Sequence, residues 1–315
     1  MPIPVFDAHC DTISRCQSQP GSHFSGTGGP WDLDRTQALS PLAQFFAIFW
    51  DSAGQREESS KARFDAQYQT FLREVDRLKG RLAFCRTGAE AQAAFAQNQA
   101  AAFLSVEGGE LLDCSLHRLD EAFALGVRAV NLTWNHANSL AGSHRGQPEQ
   151  GLTAQGRAFV ERMQKLGILV DVSHLSDAGF WDVVEMSEKP VMASHSNSRT
   201  AYFHTRNLTD EQFTAIIQNG GVVGLNLYTA FLGEEPVTED QLIAHMEHFL
   251  DLGGEHTLAL GSDWDGIDRA PAGYSGVWDW ERLWEGLLRR NYREDLLRGI
   301  FFDNLMRIVS QVCIM

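Results

Sequence analysis

The chain has 315 residues, 43% of them hydrophobic, and it can therefore bury a core as large as that of one α/β barrel. Its formal charge is -15, from 41 acidic residues against 26 lysines and arginines, and no basic block stands out. A surface of this sign repels phosphate backbones, which argues against a nucleic acid as partner.

Short apolar runs alternate with longer segments of helical periodicity along the chain. This alternation is typical of repeated strand–helix units around a parallel sheet. Eight such units predict a closed (β/α)8 TIM barrel that occupies residues 1–315 as a single catalytic domain. A doubly wound open sheet is the alternative, but no GxGxxG or P-loop motif follows a strand to support a nucleotide site. The predicted strands cover residues 3–9, 43–50, 101–106, 127–133, 168–173, 190–194, 221–228 and 257–262.

Three of the intervening segments predict amphipathic helices, because apolar residues recur three and four positions apart and a glycine stands near the end. They cover residues 64–82, 152–167 and 209–221. Ser176 and Thr209 are predicted helix N-caps. Segments 21–31 and 139–151 are predicted loops over the barrel rim, where active-site covers are commonly built.

Residues that can bind a metal follow the first predicted strand. Side chains alternate along a strand, so His9 and Asp11 point to one side, and Asp7 shares that side deeper in the barrel, where it can support the ligands. Because the carboxyl ends of barrel strands meet at one rim, similar residues after other strands are expected to converge with this pair. Those residues are Glu107, His174, His195 and Asp263.

A mixed set of imidazole and carboxylate groups suits a borderline cation such as Zn2+ better than Ca2+ or Mg2+, which prefer oxygen ligands. A glutamate between two half-sites can bridge two cations about 3.5 to 4 Å apart. The strand ends therefore predict a divalent metal site at the barrel rim.

Eight motifs occur in the order and approximate spacing of the membrane (renal) dipeptidase family and cover nearly the whole chain. They are DAHCDT, SVEGGE, LTWNHAN, DVSH, SHSNSR, RNLTDE, GLNLY and GSDWDG. The sequence resembles that of a bacterial-type soluble member of this family. The resemblance implies a barrel of the metallo-dependent hydrolase type with two Zn2+ ions that hydrolyses dipeptides, some members accepting D-residues or β-lactams.

The resemblance also implies roles for individual residues. Asp263 matches the aspartate that takes a proton from a metal-bridging hydroxide as it attacks the peptide carbonyl, and passes that proton to the leaving amine. Arg206 matches the arginine that holds the substrate. The implied metal ligands are His9 and Asp11 on one zinc, His174 and His195 on the other, and Glu107, which also serves catalysis, as the bridge.

One position departs from the pattern of well-known animal members, in which LTH places a histidine near the substrate oxyanion. Here that position is Trp134, whose indole can donate a hydrogen bond but cannot become a cation. His136 is the next position on the same side of an extended strand. His136, Asn135 and Tyr228 are further candidates for substrate contact near the predicted opening.

Several residues have plain structural alternatives. Asp265 shares a strand face with Asp263, yet it can also cap a helix or join a salt bridge. His245 and His248 lack HExxH spacing and are predicted surface residues. A tryptophan cluster either packs on the barrel or forms an interface, which leaves a homodimer open. It consists of Trp278, Trp280 and Trp284.

Targeting signals are not evident. The N-terminal segment MPIPVFDAHCD has no basic stretch before an apolar run, and no window reaches the roughly 18 apolar residues of a membrane helix. Five cysteines without CxxC spacing fit a reducing compartment. We therefore expect a cytoplasmic zinc-dependent dipeptidase with no nucleic-acid or membrane partner. The alternatives are a related binuclear hydrolase of another amide, lactam or ester, and a noncatalytic barrel that binds metal and a peptide or protein.

Overall fold

The computed structural model describes residues 2–51 and 59–314, and nine parallel strands of this part form one sheet. Their order is β2-β1-β9-β8-β7-β6-β5-β4-β3, and pairing of β2 with β4 closes eight of them into a barrel. The (β/α)8 prediction is confirmed, and the open-sheet alternative is wrong. The strands are β1 Ile3–Asp7, β2 Leu39–Phe49, β3 Leu82–Phe84, β4 Ala100–Glu107, β5 Val127–Asn131, β6 Leu169–Asp171, β7 Met192–Ala193, β8 Val222–Leu225 and β9 Leu258–Leu260.

Strand β3 is absent from the sequence prediction. It has three residues and pairs with the first three of β4. The preceding helix ends at Arg77, and Gly80 makes a turn with a φ of 84°, so the predicted helix over 64–82 extends too far. Its apolar period continues by chance to Leu82, which is buried in β3 instead. A run of three residues is too short for a period of two to be recognised.

The described helices are α1 Thr12–Ser18, α2 Ser60–Arg77, α3 Gly88–Phe95, α4 Leu116–Leu125, α5 Ala154–Leu166, α6 Asp177–Met186, α7 Asp210–Asn219, α8 Thr229–Leu232, α9 Glu239–Asp251, α10 Asp279–Arg289, α11 Glu294–Arg298 and α12 Asn304–Val312. Both predicted N-caps are confirmed. The Ser176 hydroxyl accepts from the Gly179 N–H at 2.9 Å, and Thr209 forms a capping box with Gln212. Such caps each contribute about 1 kcal/mol to helix stability.

Aromatic side chains fill the amino end of the barrel and leave the carboxyl end open. Phe6, Phe45 and Phe103 lie with ring centroids 5.2 to 5.7 Å apart. Phe302, in the π-helical turn Gly299–Asp303, packs against Phe6 from below. The opposite rim, where the strands end, is therefore the place where polar side chains can meet.

The tryptophan cluster packs inward. Trp280 is completely buried, and its indole N–H donates to Asp7 Oδ2 at 3.1 Å. Trp284 is also buried, against Phe301, and Trp278 stacks with the guanidinium of Arg35. These residues therefore lend no support to a homodimer. Among the described residues, no helix combines the length and the apolar character needed to cross a membrane.

His245 is buried, so its predicted surface position is wrong. Its Nδ1 accepts from the Ser198 N–H at 3.1 Å, and its Nε2 donates to the Leu232 carbonyl at 3.1 Å. The imidazole thus links the loop after β7 and the end of α8 to α9, a tertiary role that helical spacing alone cannot reveal. His248, one turn later, is partly exposed and bonds to Asp210 at 2.8 Å.

Candidate metal centre

The structure brings all six strand-end residues together at the open rim. His9 Nε2 lies 3.4 Å from Asp11 Oδ2, 3.6 Å from Glu107 Oε2 and 3.8 Å from Asp263 Oδ1. On the other side, Glu107 Oε1 lies 2.9 Å from His174 Nε2 and 3.5 Å from His195 Nε2. The two oxygens of Glu107 therefore face two separate groups of donors, as a bridge between two cations requires.

The donor atoms of this cluster are better suited to binding cations than to forming hydrogen bonds with one another. His174 Nε2 and His195 Nε2 are 2.9 Å apart, and the His174 Nδ1–H donates to Asn135 Oδ1, so His174 Nε2 aims a lone pair at its neighbours. Within the described part of the chain, His9 Nε2 and Asp11 Oδ1 are buried without a hydrogen-bond partner. Asp11 is the N-cap residue of α1, yet its carboxylate does not cap the helix. Two divalent cations would satisfy all of these atoms.

The protonation states of these residues also favour the binding of cations. Burial lowers the pKa of His174 and His195 well below its usual value, so both imidazoles are neutral and can act as ligands. Burial also acts to lower the pKa of His9, but the carboxylates of Glu107 and Asp11 outweigh it and raise that pKa well above its usual value. The cluster thus has excess negative charge that a bound cation would offset.

Asp263 has the surroundings of a proton carrier. Its Oδ2 accepts from Asn226 Nδ2 at 3.0 Å, which leaves Oδ1 towards the cluster, and burial raises its pKa to about 7. The competing Asp265 is engaged elsewhere, 3.0 Å from Arg15 Nε and 2.6 Å from the Thr12 hydroxyl. Asn226 is absent from the sequence prediction, although the motif GLNLY contains it.

The backbone is strained at two residues of the site, and this conformation sets the direction of their side chains. His174 and Asp263 have φ angles of 71° and 65°, in the left-handed region that residues other than glycine rarely adopt. At Gly266 a Cβ atom would lie 2.2 Å from Asp11 Oδ2 and 2.4 Å from Asp263 Oδ1. Only glycine therefore lets this loop pass so close to the carboxylates.

Two buried aspartates hold the two halves of the centre in the same way. Asp7 ends β1, and its Oδ1 accepts the N–H of His9 at 3.2 Å and of Ser262, just after the neighbouring strand β9, at 3.1 Å. Asp171 ends β6, and its Oδ1 accepts the N–H of Ser173 and of Ser194, each at 3.0 Å. The four bonded amides belong to His9 and to the direct chain neighbours of His174, His195 and Asp263. Each aspartate therefore fixes two strand ends against each other at the height of the ligands.

Asp171→Ala is expected to lower metal affinity by roughly 10- to 100-fold, because two buried amides lose their acceptor and His174 and His195 lose their support. Asp171→Asn should restore the affinity, since an amide oxygen can accept the same two bonds. Titration of metal-free protein with Zn2+ checks both variants. Asp182→Ala, which removes the acceptor of the Leu152 N–H on the outer helix α6, is the control and should leave the affinity unchanged. Equal affinity of the two Asp171 variants would contradict this role.

A cavity of about 700 Å³ opens above the cluster, a size typical of small-molecule sites. Of the predicted substrate contacts, Arg206, Asn135 and Tyr228 line it, and Trp134 forms part of the wall. The buried Arg206 donates to the His195 carbonyl at 3.2 Å and lies 5.5 Å from the centre of the Phe231 ring. Burial lowers its pKa to about 10, so the guanidinium remains charged at neutral pH.

The side chain of Asn135 is hydrogen-bonded to two histidines and orients them. Its Oδ1 accepts from His174 Nδ1 at 3.0 Å and from His144 Nε2 at 2.8 Å, while His144 Nδ1 bonds to the Thr205 hydroxyl. The sequence prediction did not include His144. The only sequence feature that indicates a role for His144 is its position inside the predicted rim loop, residues 139–151.

His136 is not among the residues that line the cavity. Strand β5 ends at Asn131, so alternation of sides does not extend as far as residue 136. Its ring packs on the Trp134 ring, with centroids 5.7 Å apart, and its Nε2 lies 3.8 Å from Asp51 Oδ1. The predicted substrate contact of His136 therefore finds no support.

Comparisons with known sequences agree with this geometry. A family model described as membrane dipeptidase, peptidase family M19, matches residues 1–314. An uncharacterized protein in the pqqA 5′ region of Klebsiella pneumoniae is 32% identical over 246 residues, which cover 74% of this chain and 90% of that protein.

Solved structures share the whole fold. A metallo peptidase from Rhodobacter sphaeroides, liganded with a phosphinate mimic of the dipeptide L-Ala-D-Ala, has a TM-score of 0.91 at 27% identity. The match covers 99% of this chain and 100% of that one. Dipeptidase AC, a metallo peptidase of family M19, has a TM-score of 0.90 at 29% identity, with 99% of both chains covered.

Proposed function

This chain belongs to the membrane dipeptidase family and is a metallo-dipeptidase, and from that premise we propose that it uses two Zn2+ ions to hydrolyse dipeptides, including ones with a C-terminal D-residue. The observation that carries the proposal is the position of Glu107 between two groups of donors. The D-residue is suggested by the similar Rhodobacter sphaeroides peptidase, which is liganded with a mimic of L-Ala-D-Ala.

The ligands proposed for the first ion are His9, Asp11 and one oxygen of Glu107. The other Glu107 oxygen and the imidazoles of His174 and His195 would hold the second ion. Zn2+ suits this set because it accepts both imidazole nitrogen and carboxylate oxygen. When bound, the two ions would polarise the scissile carbonyl and make a water molecule more acidic.

The chain's own residues would handle the proton and the substrate. Asp263 Oδ1 takes the proton of the attacking water and delivers it to the amine nitrogen as the peptide bond breaks, while Asn226 fixes the other oxygen. Arg206 binds the α-carboxylate of the dipeptide, because it is charged, buried and without a carboxylate within 4.0 Å among the described residues. Its backbone anchor on His195 keeps this contact at a fixed distance from the metal ligands.

We propose a cytoplasmic location, because the five cysteines lack the number and spacing of a disulfide framework.

A panel of L,L and L,D dipeptides, each also in a C-terminally amidated form, tests the function. The zinc-loaded protein is expected to cleave dipeptides with a free carboxylate, to lose activity after chelation and to regain it with Zn2+. Amidated peptides should be poor substrates, since Arg206 then lacks its partner. Esters and β-lactams belong in the same panel. If these are cleaved and no dipeptide is, the alternative of another binuclear hydrolase replaces this proposal.

A further inference from the structure

One side of the cavity has more positive charge than a single carboxylate needs. We call it the basic wall and define it by His144, Arg145, His204 and Arg206. Its residues come from the loop after β5 and the loop after β7, which are joined by the 2.9 Å hydrogen bond between His144 Nδ1 and the Thr205 hydroxyl. Carboxylates line the other side, contributed by the segments after β9 and β1.

The two arginines of the basic wall are free to bind anions. Among the described residues, neither Arg145 nor Arg206 has a carboxylate within 4.0 Å. The nearby Arg199 is different, because both of its terminal nitrogens lie 2.8 Å from the oxygens of Asp177. Arg206 is buried beside the metal ligands, whereas Arg145 is exposed farther out at the mouth of the cavity. The wall thus offers two cationic positions at two depths.

His204 adds a hydrogen-bond donor to the basic wall. Its Nδ1 accepts from the Arg206 backbone N–H at 3.0 Å, so the ring proton is on Nε2. Burial and the charges of Arg206, Arg199 and Arg145 lower the pKa of His204, and the ring is neutral. His144 is likewise neutral, since burial lowers its pKa to about 3. The arginines therefore supply the charge, and the Nε2–H of His204 is available to an incoming oxygen.

The opposite charges on the two sides orient a dipeptide. Asp268, in the segment after β9, also lines the cavity, so the acidic side would attract the ammonium end of a dipeptide and the basic wall its carboxylate end. One α-carboxylate is enough for Arg206. Arg145, which also lines the cavity, then still has no carboxylate partner among the described residues.

We propose that the enzyme prefers dipeptides whose C-terminal residue carries a carboxylate in its side chain, with Arg206 holding the α-carboxylate and Arg145 and His204 holding the side-chain carboxylate. This inference rests on the proposed dipeptidase function. The chemistry is that of a charge-assisted pair, which distinguishes glutamate from its neutral isostere glutamine.

The test compares kcat/KM for Ala-Glu and Ala-Gln, each with an L- or a D-residue at the C-terminus, in the zinc-loaded wild type and in Arg145→Gln. The wild type is expected to favour the glutamate peptide by about 10-fold, the value for one charge-assisted hydrogen bond. Arg145→Gln should remove that preference by lowering kcat/KM for Ala-Glu much more than for Ala-Gln. Arg157→Gln removes a surface charge outside the cavity, and it should keep the preference.

Two results would overturn this inference and leave the proposed dipeptidase function intact. One is equal kcat/KM for both peptides in the wild type. The other is an equal loss on both peptides in Arg145→Gln, which would mean that Arg145 binds the α-carboxylate. Failure to hydrolyse Ala-Glu, Ala-Gln and the wider dipeptide panel would instead contradict the proposed function and this inference with it.

Discussion

Asp263→Asn is expected to lower kcat by roughly 10²- to 10⁴-fold while the protein still binds two metal ions, the loss typical of removing a general acid–base group. Asparagine has the same shape and can keep its bond to Asn226, but its amide cannot take a proton from water. The proposed metal ligands His9, Asp11 and Glu107 remain in place. Steady-state kinetics on a cleaved dipeptide, with metal analysis of the same sample, checks this prediction.

Asp265→Asn is the matched control. Asp265 is bonded to Arg15 and Thr12, so this variant should lose stability more than turnover. A larger loss of kcat in Asp265→Asn than in Asp263→Asn would reverse the assignment of the proton carrier. Full activity of Asp263→Asn would remove that role altogether.

Glu107→Gln is expected to lower the affinity for one of the two cations by about 100-fold or more, and activity with it. Loss of an outer hydrogen-bond partner of a ligand already costs 10- to 100-fold, and loss of a bridging oxygen should cost more. In the wild type, the Glu107 carboxylate offers one oxygen to His9 and the other to the imidazoles of His174 and His195. An amide keeps one oxygen and turns an NH2 group towards the other half-site, where it repels a cation.

Metal stoichiometry of the purified variant, measured with its hydrolysis rate, checks the prediction. Glu110→Gln is the control: Glu110 accepts from Asn138, and an amide oxygen can do the same, so this variant should bind two ions and retain activity. If Glu107→Gln bound two ions with unchanged affinity, Glu107 would not be a bridge.

The barrel could be predicted because each of its eight strands is an apolar run bounded by turn signals, and helix caps such as Thr209 have local signatures. The convergence of His9, Glu107 and His195 could also be predicted, since parallel strands end at one rim. Strand β3 could not be predicted, because its three residues have no recognisable sequence pattern and form a strand by pairing with β4.

Side chains from loops were the least predictable part of the site. His144 reaches the cavity from a rim loop, and its position depends on hydrogen bonds to Asn135 and Thr205 from other segments. The alternation of an extended strand predicts a direction for the His136 side chain that does not hold, because β5 ends at Asn131. Strand ends inherit their geometry from the sheet, whereas loop residues take theirs from contacts that a single sequence does not show.

Zinc titration of the chelated protein tests the central claim most directly. Dipeptide hydrolysis is measured after each addition of Zn2+, alongside the amount of metal bound. We expect almost no activity without metal and a rise that reaches its plateau at two bound equivalents per chain. Undiminished hydrolysis in the metal-free protein, or two bound equivalents with no hydrolysis of any dipeptide, would contradict it.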